Sequence, residues 1–269
     1  MGSPMFPQCI FGAMNFLIGF GSAAIVAALA YRAKALALSG AMAAVIVGGA
    51  IFAFGGLSAS MLLIFFFISG SLLSRLNEKH AGARTWKQVA ANGFLPALSM
   101  TIMYVNPASR EEMTLLFLGS LAVAAADTWA TEIGIRYGGK VYDILTFRPM
   151  KRGLSGGISL IGTLASIAGA LCISLLSLIH LEEASGLCQL GFTPVPLVIT
   201  LAGATGALLD SIIGASIQAK YMKVSGEIIE EAVPMSELVR GMKFIDNNMT
   251  NLISTCIGGL LAVGIASWF

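Results

Sequence analysis

Long apolar segments alternate with short polar loops along the whole chain. A helix that crosses a bilayer needs about 20 mostly apolar residues, and windows of this kind recur from one end of the chain to the other. They predict spans at Ile10–Tyr31, Ala35–Phe54, Leu57–Leu73, Gln88–Val105, Met113–Gly134, Gly156–Ile179, Pro194–Gln218 and Met249–Phe269. Because only Gly55 and Gly56 separate the second window from the third, a seven-helix bundle is the alternative to an eight-helix one. The pattern predicts an all-α polytopic membrane protein with a single transmembrane domain over residues 1–269.

The composition supports this interpretation. The 269 residues are 57% hydrophobic and only 11% charged, whereas a soluble domain carries roughly a quarter charged residues. Such a sequence cannot build a water-facing surface, so the lipid bilayer is the expected environment and no nucleic-acid partner is expected. The cysteines have neither metal-ligand nor disulfide-framework spacing; they are Cys9, Cys172, Cys188 and Cys256. Residues 1–4 resemble a cloning remnant and are left out of the interpretation.

The predicted spans segregate the basic residues. If the chain alternates sides, only Arg110 falls on one side of the membrane, beside Glu111 and Glu112. The other side holds Arg32, Lys34, Arg75, Lys79, Arg84, Lys87, Arg136, Lys140, Arg148, Lys151, Arg152, Lys220, Lys223, Arg240 and Lys243. Basic loops remain in the cytoplasm, so we expect both termini on the non-cytoplasmic side. A miscounted helix would mix the two sides, so the segregation favours eight spans over seven.

Polar side chains gather near the cytoplasmic ends of the predicted helices. They are Gln88, Asn92, Asp127, Thr128, Thr131, Glu132, Asp210, Ser211, Gln218, Asn247, Asn248 and Asn251. An acid within a spanning helix costs a few kcal/mol at the bilayer centre, so Asp127 and Asp210 need water, a partner or a cation. The structural alternative is that these groups hydrogen-bond between helices. We favour function for the two aspartates, which could hold one Mg²⁺ between parallel helices, since that ion uses a few carboxylates with phosphate oxygens and water.

The loop between the fifth and sixth spans is basic and rich in glycine, from Gly134 to Ser159. Glycines let backbone N–H groups approach an anion, and the following helix presents its positive N-terminus. This pattern predicts a phosphate cradle; the alternative is an ordinary basic loop lying against acidic lipid. Residues 134–140 also fit the spacing of a Walker A loop, but Val141 stands where Ser or Thr is required, so we reject that motif.

Two further basic loops follow from the same pattern. One covers Ser74–Lys87 and contains His80; the other covers Lys220–Asn247 and mixes glutamates with lysine and arginine, which predicts a folded lid or a short amphipathic helix. No Ser/His/Asp or Cys/His arrangement is visible, so covalent catalysis has no predicted nucleophile.

Several runs of residues, in a fixed order, carry a family resemblance. They are Arg84-x-x-x-Gln-Val-x-Ala-Asn-Gly93, Ala126-Asp-Thr-Trp-Ala-Thr-Glu-Ile-Gly134, Gly153-x-Ser-Gly-Gly-x-Ser159-x-x-Gly162, Gly206-Ala-Leu-Leu-Asp-Ser-x-x-Gly-Ala215 and Asn247-Asn-x-x-Asn251. The chain resembles the phytyl-phosphate kinase family of integral membrane proteins from the vitamin E pathway, formerly a domain of unknown function. The resemblance covers nearly the whole chain.

This resemblance implies transfer of a phosphoryl group from a nucleoside triphosphate, with CTP expected, to an isoprenyl monophosphate. Phosphoryl transfer depends on a metal and on cations around the transferred group. The implied catalytic and Mg²⁺-binding residues are Asp127, Glu132 and Asp210. The implied phosphate-binding residues are Arg75, Arg84, Asn92, Lys140, Arg148, Lys151, Arg152, Ser155, Gly156, Gly157, Ser159, Ser211, Asn247 and Asn251, with Gly156 and Gly157 contributing N–H donors.

Other functions are compatible with parts of the pattern. A cation-coupled transporter would place its acids near the midplane and within reach of both sides, whereas these acids cluster toward one face. A CTP-dependent lipid cytidylyltransferase or a polyprenol kinase would have the same kind of site and would differ in its product. The sequence carries no plastid transit peptide, so we expect a prokaryotic plasma membrane with the active site on its cytoplasmic side.

Overall fold

The computed structural model describes residues 6–77, 82–181 and 195–268, and in this part of the chain it contains seven α-helices. These are α1 Phe6–Arg32, α2 Leu38–Arg75, α3 Trp86–Val105, α4 Arg110–Tyr137, α5 Leu160–Leu181, α6 Val195–Ser216 and α7 Asn247–Ala266. A short 3₁₀ helix, Pro107–Ser109, precedes α4. All the helices except α3 are long and apolar enough to cross a membrane by length and composition. The predicted all-α polytopic fold is therefore confirmed.

Helix α2 combines two of the predicted spans and reverses direction at Gly56. This glycine has φ 77° and ψ −170°, a backbone region that is essentially restricted to glycine. A Cβ on Gly40 would overlap the carbonyl oxygen of Arg84, and a Cβ on Gly70 would lie 2.8 Å from Nη2 of the same arginine. In a straight helix Gly40 and Gly70 would be roughly 45 Å apart at 1.5 Å per residue. Residues 38–55 (α2a) and residues 57–75 (α2b) are therefore two antiparallel helices.

Helix α4 is the centre of the bundle and packs against α2, α3, α5, α6 and α7. Its residues from Thr114 to Ala126 are all buried. Small residues bring its neighbours close, since a Cβ on Gly203 of α6 would lie 2.8 Å from the Cβ of Ala122, and a Cβ on Gly258 of α7 would overlap Val123. Close approach of small residues is the usual packing mode in a bilayer, where lipid removes most of the hydrophobic driving force between helices.

The two ends of the bundle differ in charge. At one end, Arg75 donates to the carbonyl oxygen of Ala33 at 2.8 Å, and Arg136 donates to that of Leu76, so the ends of α1, α2 and α4 meet there. At the opposite end, the ring of Phe54, just before the reversal of α2, lies 5.0 Å from that of Tyr104 in α3. Among the described basic residues, Arg110 alone lies at that second end. We name the first end the basic end. Its assignment to the cytoplasm, with both termini outside, stays a prediction.

The loops of the basic end contain short antiparallel strands. Strand β1 (Tyr142–Asp143) pairs with β2 (Gly157–Ile158), and β3 (Lys220–Met222) lies between β4 (Ile228–Ile229) and β5 (Glu237–Arg240). The segment predicted as a folded lid is therefore a three-stranded sheet, and its helical alternative is wrong. Turn chemistry explains this, because Gly226 has φ 79° and its N–H donates to the Lys223 carbonyl at 2.9 Å, closing a hairpin.

Helix α5 begins four residues later than predicted. Gly156 has φ 87°, and Gly157 is already paired in β2, so neither is helical. Ser159 accepts the N–H of Gly162 on its hydroxyl oxygen at 3.1 Å and thereby caps the helix. The glycine run therefore forms the approach to α5 and not its first turn.

Candidate functional site

Asp127 of α4 and Asp210 of α6 lie close enough to interact electrostatically. On each helix, the residue one turn before the aspartate contacts the other helix. A Cβ on Gly206 would overlap a methyl group of Val123, and each aspartate follows its contact residue by four positions. Residues four apart share a helix face, so the Gly206–Val123 contact sets the two carboxylates at one level between the helices.

Asp210 is held by the first turns of α7. It is 6% exposed, and its Oδ2 accepts a hydrogen bond from the Ser254 hydroxyl at 2.8 Å. With its side-chain amide in the orientation that satisfies both contacts, Asn251 donates to this oxygen at 3.2 Å and to the Asn247 carbonyl at 3.0 Å. Asp210, predicted as a metal ligand, thus lies beside Asn251 and near Asn247, both predicted as phosphate ligands, while Ser254 was not anticipated.

Asp127 lies where the continuous burial of α4 ends, and it is half-buried. No described side chain donates a hydrogen bond to it, and its electrostatic neighbours are Asp210 and Glu132. Its carboxylate oxygens therefore retain their capacity to bind a ligand from the basic end.

Glu132 faces the end of α2. Its Oε1 accepts a hydrogen bond from the Ser74 hydroxyl, and its Oε2 accepts one from the Asn77 amide at 2.8 Å. Asn77 also donates to the Glu132 backbone carbonyl at 2.8 Å. The carboxylate is thus already satisfied by α2, which gives Glu132 a structural contact that its sequence position beside Asp127 does not reveal.

The geometry suits a Mg²⁺ ion bound by two carboxylates, those of Asp127 and Asp210, better than one bound by all three predicted acids. In the described part of the chain, no three histidine, cysteine or acidic side chains form a group that could hold a metal ion. Mg²⁺ keeps several waters and commonly uses only one or two carboxylates together with substrate phosphates. Asp127 and Asp210 fit that requirement; Glu132 stands apart from it.

Arg84 lies near Glu132, in the loop between α2 and α3. Its backbone bridges to the Leu36–Ala37 segment, which directs the side chain into the bundle. The guanidinium lies 5.4 Å from the ring centre of Phe67 and interacts electrostatically with Glu132. Burial lowers the pKa of Arg84, an effect that Glu132 opposes. No described residue accepts a hydrogen bond from the guanidinium. Arg84 is therefore a largely desolvated cation available to an anionic ligand.

Ser155, in the loop before α5, is the centre of a second polar cluster. The Glu230 carboxylate accepts both the Ser155 backbone N–H and its hydroxyl, the latter at 3.0 Å. Lys220 donates to the Ser155 carbonyl at 2.7 Å, and Gln218 donates to its hydroxyl oxygen at 2.9 Å. Asn247 Oδ1 lies 3.3 Å from the same hydroxyl. Burial lowers the pKa of Lys220, against the influence of the nearby Glu230. Ser155 therefore binds an anionic group here, and that group is a carboxylate from the lid.

The remaining predicted phosphate ligands of the glycine-rich loop have other contacts. Arg152 donates to the carbonyl of Gly139 at 2.7 and 3.0 Å and to that of Ile135 at 3.3 Å, and so caps the end of α4. Lys151 pairs with Glu227 of the lid at 2.5 Å. Lys140 and Arg148 are exposed. The sequence did not distinguish among these positively charged loop residues. In the structure they differ: one caps a helix, one forms an ion pair and two are exposed.

The glycines and hydroxyl residues also have structural contacts. Gly156 lies against α6, where a Cβ would be 2.5 Å from that of Ala215. The N–H of Gly157 donates to the Leu154 carbonyl at 3.2 Å, so it is not free for a phosphate. The Ser211 hydroxyl is directed to the Ala207 carbonyl of its own helix at 3.4 Å. Arg75 is engaged at the end of α1, as described above, and Ser159 caps α5; Asn92 lines an apolar cavity beside Arg84.

Glu230 is the main site residue that the sequence analysis missed. It interacts electrostatically with Asp210 and hydrogen-bonds to Ser155. Its sequence context is a run of lid glutamates, Glu227 to Glu231, which was recognised only as mixed charge. Nothing in that run indicates a partner that lies 75 residues earlier.

Comparison with known proteins agrees with the fold and the motifs. The chain matches the profile of the family described as Integral membrane protein DUF92 over residues 21–259. It is 29% identical over 264 residues to Protein PGR of Arabidopsis thaliana, covering 88% of this chain and 91% of the relative. An uncharacterized membrane protein of Methanocaldococcus jannaschii is 29% identical over 248 residues, with 89% of each chain covered. Protein VTE6, chloroplastic, of Arabidopsis thaliana is 28% identical over 244 residues, covering 85% of this chain and 64% of the relative. No solved structure matches the chain at a significant level.

The matched region includes Arg84, both aspartates, Ser155 and the α7 residues that hold Asp210. The resemblance inferred from the sequence motifs is thus confirmed by the profile and by the similarity to VTE6. The chain belongs to the DUF92 family of integral membrane proteins.

Proposed function

We propose that this protein is a membrane-embedded phosphotransferase acting on an isoprenyl monophosphate such as phytyl phosphate. The γ-phosphate of a nucleoside triphosphate, with CTP as the expected donor, would be moved to it to give the diphosphate. The observation that carries the proposal is that Asp127 and Asp210 lie close enough between α4 and α6 to interact electrostatically. The motif resemblance and the similarity to VTE6 support a role in phytyl phosphate metabolism.

The residues are suited to this chemistry because phosphoryl transfer depends on positioning and charge neutralisation more than on covalent help from the protein. An oxygen of the acceptor monophosphate attacks the γ-phosphorus, and the bond between that phosphorus and the β–γ bridging oxygen breaks. The nucleoside diphosphate leaves with the electron pair. Because the acceptor phosphate is already ionised, no general base is required.

Separate groups would hold the two substrates. Asp127 and Asp210 would hold Mg²⁺, which would supply positive charge to offset that of the phosphates. Arg84 would bind the acceptor phosphate, because a guanidinium suits phosphate geometry. Glu132, satisfied by Ser74 and Asn77, would fix the end of α2 against α4.

The basic end would face the cytoplasm, where nucleotides are available, as the positive-inside pattern predicts. We extend this to a prokaryotic plasma membrane. The apolar tail of the acceptor would remain among the helices while its phosphate reaches the acids.

The direct test is transfer of label by the purified protein in detergent. Mg²⁺, phytyl or geranylgeranyl monophosphate and γ-labelled CTP or ATP should give labelled prenyl diphosphate. Asp127→Asn and Asp210→Asn should reduce turnover by at least a hundredfold, since each removes a charge that would bind the metal. Glu111→Gln is the matched control, because this exposed acid lies on α4 at the opposite end and its loss should leave turnover unchanged.

Other outcomes separate the alternative functions. Lipid that acquires label from α-labelled CTP would show a cytidylyltransferase. Transfer to free polyprenol instead of its phosphate would show a polyprenol kinase. Absence of both turnover and nucleotide binding would contradict the enzyme proposal and direct attention to ion-coupled flux in liposomes.

A further inference from the structure

A cavity of about 250 Å³ lies between α1, both halves of α2 and α3. Its lining runs along α2b from Phe67 to Leu57, ten residues or roughly 15 Å at the helical rise. At the far end α1 approaches α2a closely, since a Cβ on Gly49 would lie 2.5 Å from the ring of Phe20, and one on Gly19 would lie 3.0 Å from the backbone nitrogen of Ala53. The cavity is therefore elongated along the bundle and narrowed away from the basic end.

The wall of this cavity offers almost no hydrogen-bonding groups. Ser22 and Ser60 both line it, but their hydroxyls donate to carbonyls of their own helices, to Ile18 at 2.7 Å and to Gly56 at 3.0 Å. The other lining residues are aliphatic, aromatic or glycine, apart from a polar group at one end. A site with this lining suits a long apolar chain.

The polar group consists of Arg84, Gln88 and Asn92, at the loop before α3 and in its first two turns. The Gln88 side chain accepts the N–H of Thr85 at 2.9 Å, whereas the Arg84 guanidinium has no hydrogen-bond acceptor among the described residues. Arg84 is attracted to Glu132 and lies over the Phe67 ring, but burying a cation whose N–H groups have no hydrogen-bond acceptor is costly. This end of the cavity therefore suits an anionic group.

The same arginine connects the cavity to helix α4. The glycine at position 70 leaves room for it, because a Cβ there would lie 2.8 Å from Arg84 Nη2 and 3.0 Å from the Thr128 methyl group. Thr128 follows Asp127 directly. Arg84 interacts electrostatically with Glu132 of the same helix, so an anion bound to Arg84 would lie near the Glu132 end of α4, while a chain attached to it would extend into the cavity.

We propose that this cavity is the binding site for the hydrocarbon tail of the isoprenyl monophosphate, with Arg84 as the ligand of its phosphate. The inference rests on the proposed function for the identity of the ligand. A cationic group at one end of an apolar cavity matches the anionic head and the apolar tail of a prenyl monophosphate. The length of this cavity then sets the longest tail that the protein accepts.

A substitution at Gly48 can shorten the cavity without disturbing the fold. This glycine lines the cavity, and a Cβ there would meet only the Ala23 Cβ at 3.5 Å, an ordinary contact. Gly48→Leu should fill the cavity and lower kcat/KM for geranylgeranyl monophosphate about tenfold or more, while geranyl monophosphate is affected less. Gly21→Leu is the matched control, because Gly21 lies on α1 outside the lining with nothing within 4 Å of its Cβ position.

Photo-crosslinking separates this proposal from the proposed reaction. A diazirine placed at the tail end of a geranylgeranyl monophosphate analogue should label peptides of α1 and α2, and Arg84→Gln should reduce the labelling about tenfold. This labelling without turnover would support the cavity and contradict the kinase. Turnover with labelling confined to other helices would overturn the cavity assignment and leave the kinase standing. Labelling that prenyl phosphate cannot compete away, together with co-purified phospholipid, would identify a structural lipid and also overturn it.

Discussion

The Glu230 carboxylate accepts hydrogen bonds from both the backbone N–H and the hydroxyl of Ser155. A backbone N–H beside a hydroxyl is an arrangement that proteins use for phosphate, and the lid places its own carboxylate there. Glu230 also lies near Asp210, whose negative charge opposes it. The lid carboxylate thus occupies a position that a substrate phosphate would favour.

Replacing Glu230 by glutamine should strengthen nucleotide binding. The amide oxygen can still accept from Ser155, but the negative charge beside Asp210 is lost. We expect the Kd for Mg²⁺–CTP to fall by about threefold to tenfold, in line with the removal of one repulsive charge of roughly 1 kcal/mol. Equilibrium binding of labelled CTP to the purified protein measures this.

Glu231→Gln is the control for that change, because it makes the same substitution at the next, exposed residue. It should leave the Kd unaltered. An equal gain in both variants would indicate a general charge effect of the lid and would contradict a specific role of the Glu230–Ser155 contact.

The contact between Gly206 and Val123 should limit the stability of the bundle. In Gly206→Ala the new methyl group would overlap the Val123 side chain, and overpacking of this kind typically costs 1–3 kcal/mol. We expect a lower Tm in detergent together with a higher Mg²⁺ concentration for half-maximal turnover, since the aspartates one turn later would separate. Val123→Ala in the same chain should restore much of both properties.

Gly264→Ala provides the comparison for any effect of glycine loss in a helix. Nothing lies within 4 Å of its Cβ position, and alanine is the better helix former by about 1 kcal/mol. Its Tm should be unchanged or higher. A fall as large as that of Gly206→Ala would show that the helix crossing is not the cause.

Gly56 should be required for the reversal of α2. A Cβ at this position meets nothing within 4 Å, so the penalty of Gly56→Ala comes from its φ of 77° alone. Residues other than glycine in this region cost on the order of 1–3 kcal/mol. We expect a lower Tm for Gly56→Ala and an unchanged one for Gly21→Ala, a helical glycine with equal space. A Tm for Gly56→Ala equal to that of the native protein would contradict the strained turn.

The attachment of the lid should be lost in acid. Hydrogen bonds from Lys151 and Lys223 lower the pKa of Glu227 from 4.5 to about 2. At Asp143, burial acts to raise the pKa, but the N–H groups of Thr146 and Leu145 and the nearby Arg240 hold it below its ordinary value. A depressed folded pKa stabilises the folded state above the unfolded pKa, and this contribution is lost as the pH falls. Hydrogen exchange of β3–β5 should therefore be constant, after correction for intrinsic rates, from pH 8 to about 5 and increase below about 4.

Glu227→Gln tests the assignment of that acid response. The variant should have weaker protection of β4 at neutral pH and a smaller change between pH 5 and 3, with the remaining change due to Asp143. An acid response identical to that of the native lid would assign the effect elsewhere.

The positions of the helices followed from the sequence, and so did the choice of Asp127 and Asp210 as candidate site residues. A bilayer requires that backbone polar groups be satisfied within each span, so apolar windows of the required length are helices whatever surrounds them. Asp127 and Asp210 stood out for a similarly local reason, because an acid in such a window is costly wherever its partners lie. The glycine pair at residues 55 and 56 also marked the reversal of α2, although the window count alone left seven and eight spans both possible.

Tertiary structure decided which of many similar polar residues lie close to one another. Arg84 and Arg152 were equivalent as basic loop residues, yet one lies desolvated beside an apolar cavity and the other caps α4. Glu230 reaches Ser155 only because the lid folds as a sheet over the ends of α6 and α7. These outcomes depend on how closely helices pack at residues such as Gly206 and Gly156, a three-dimensional steric fit that no local pattern encodes. Hydropathy is a property of each segment by itself, whereas the site is a property of the distances between segments.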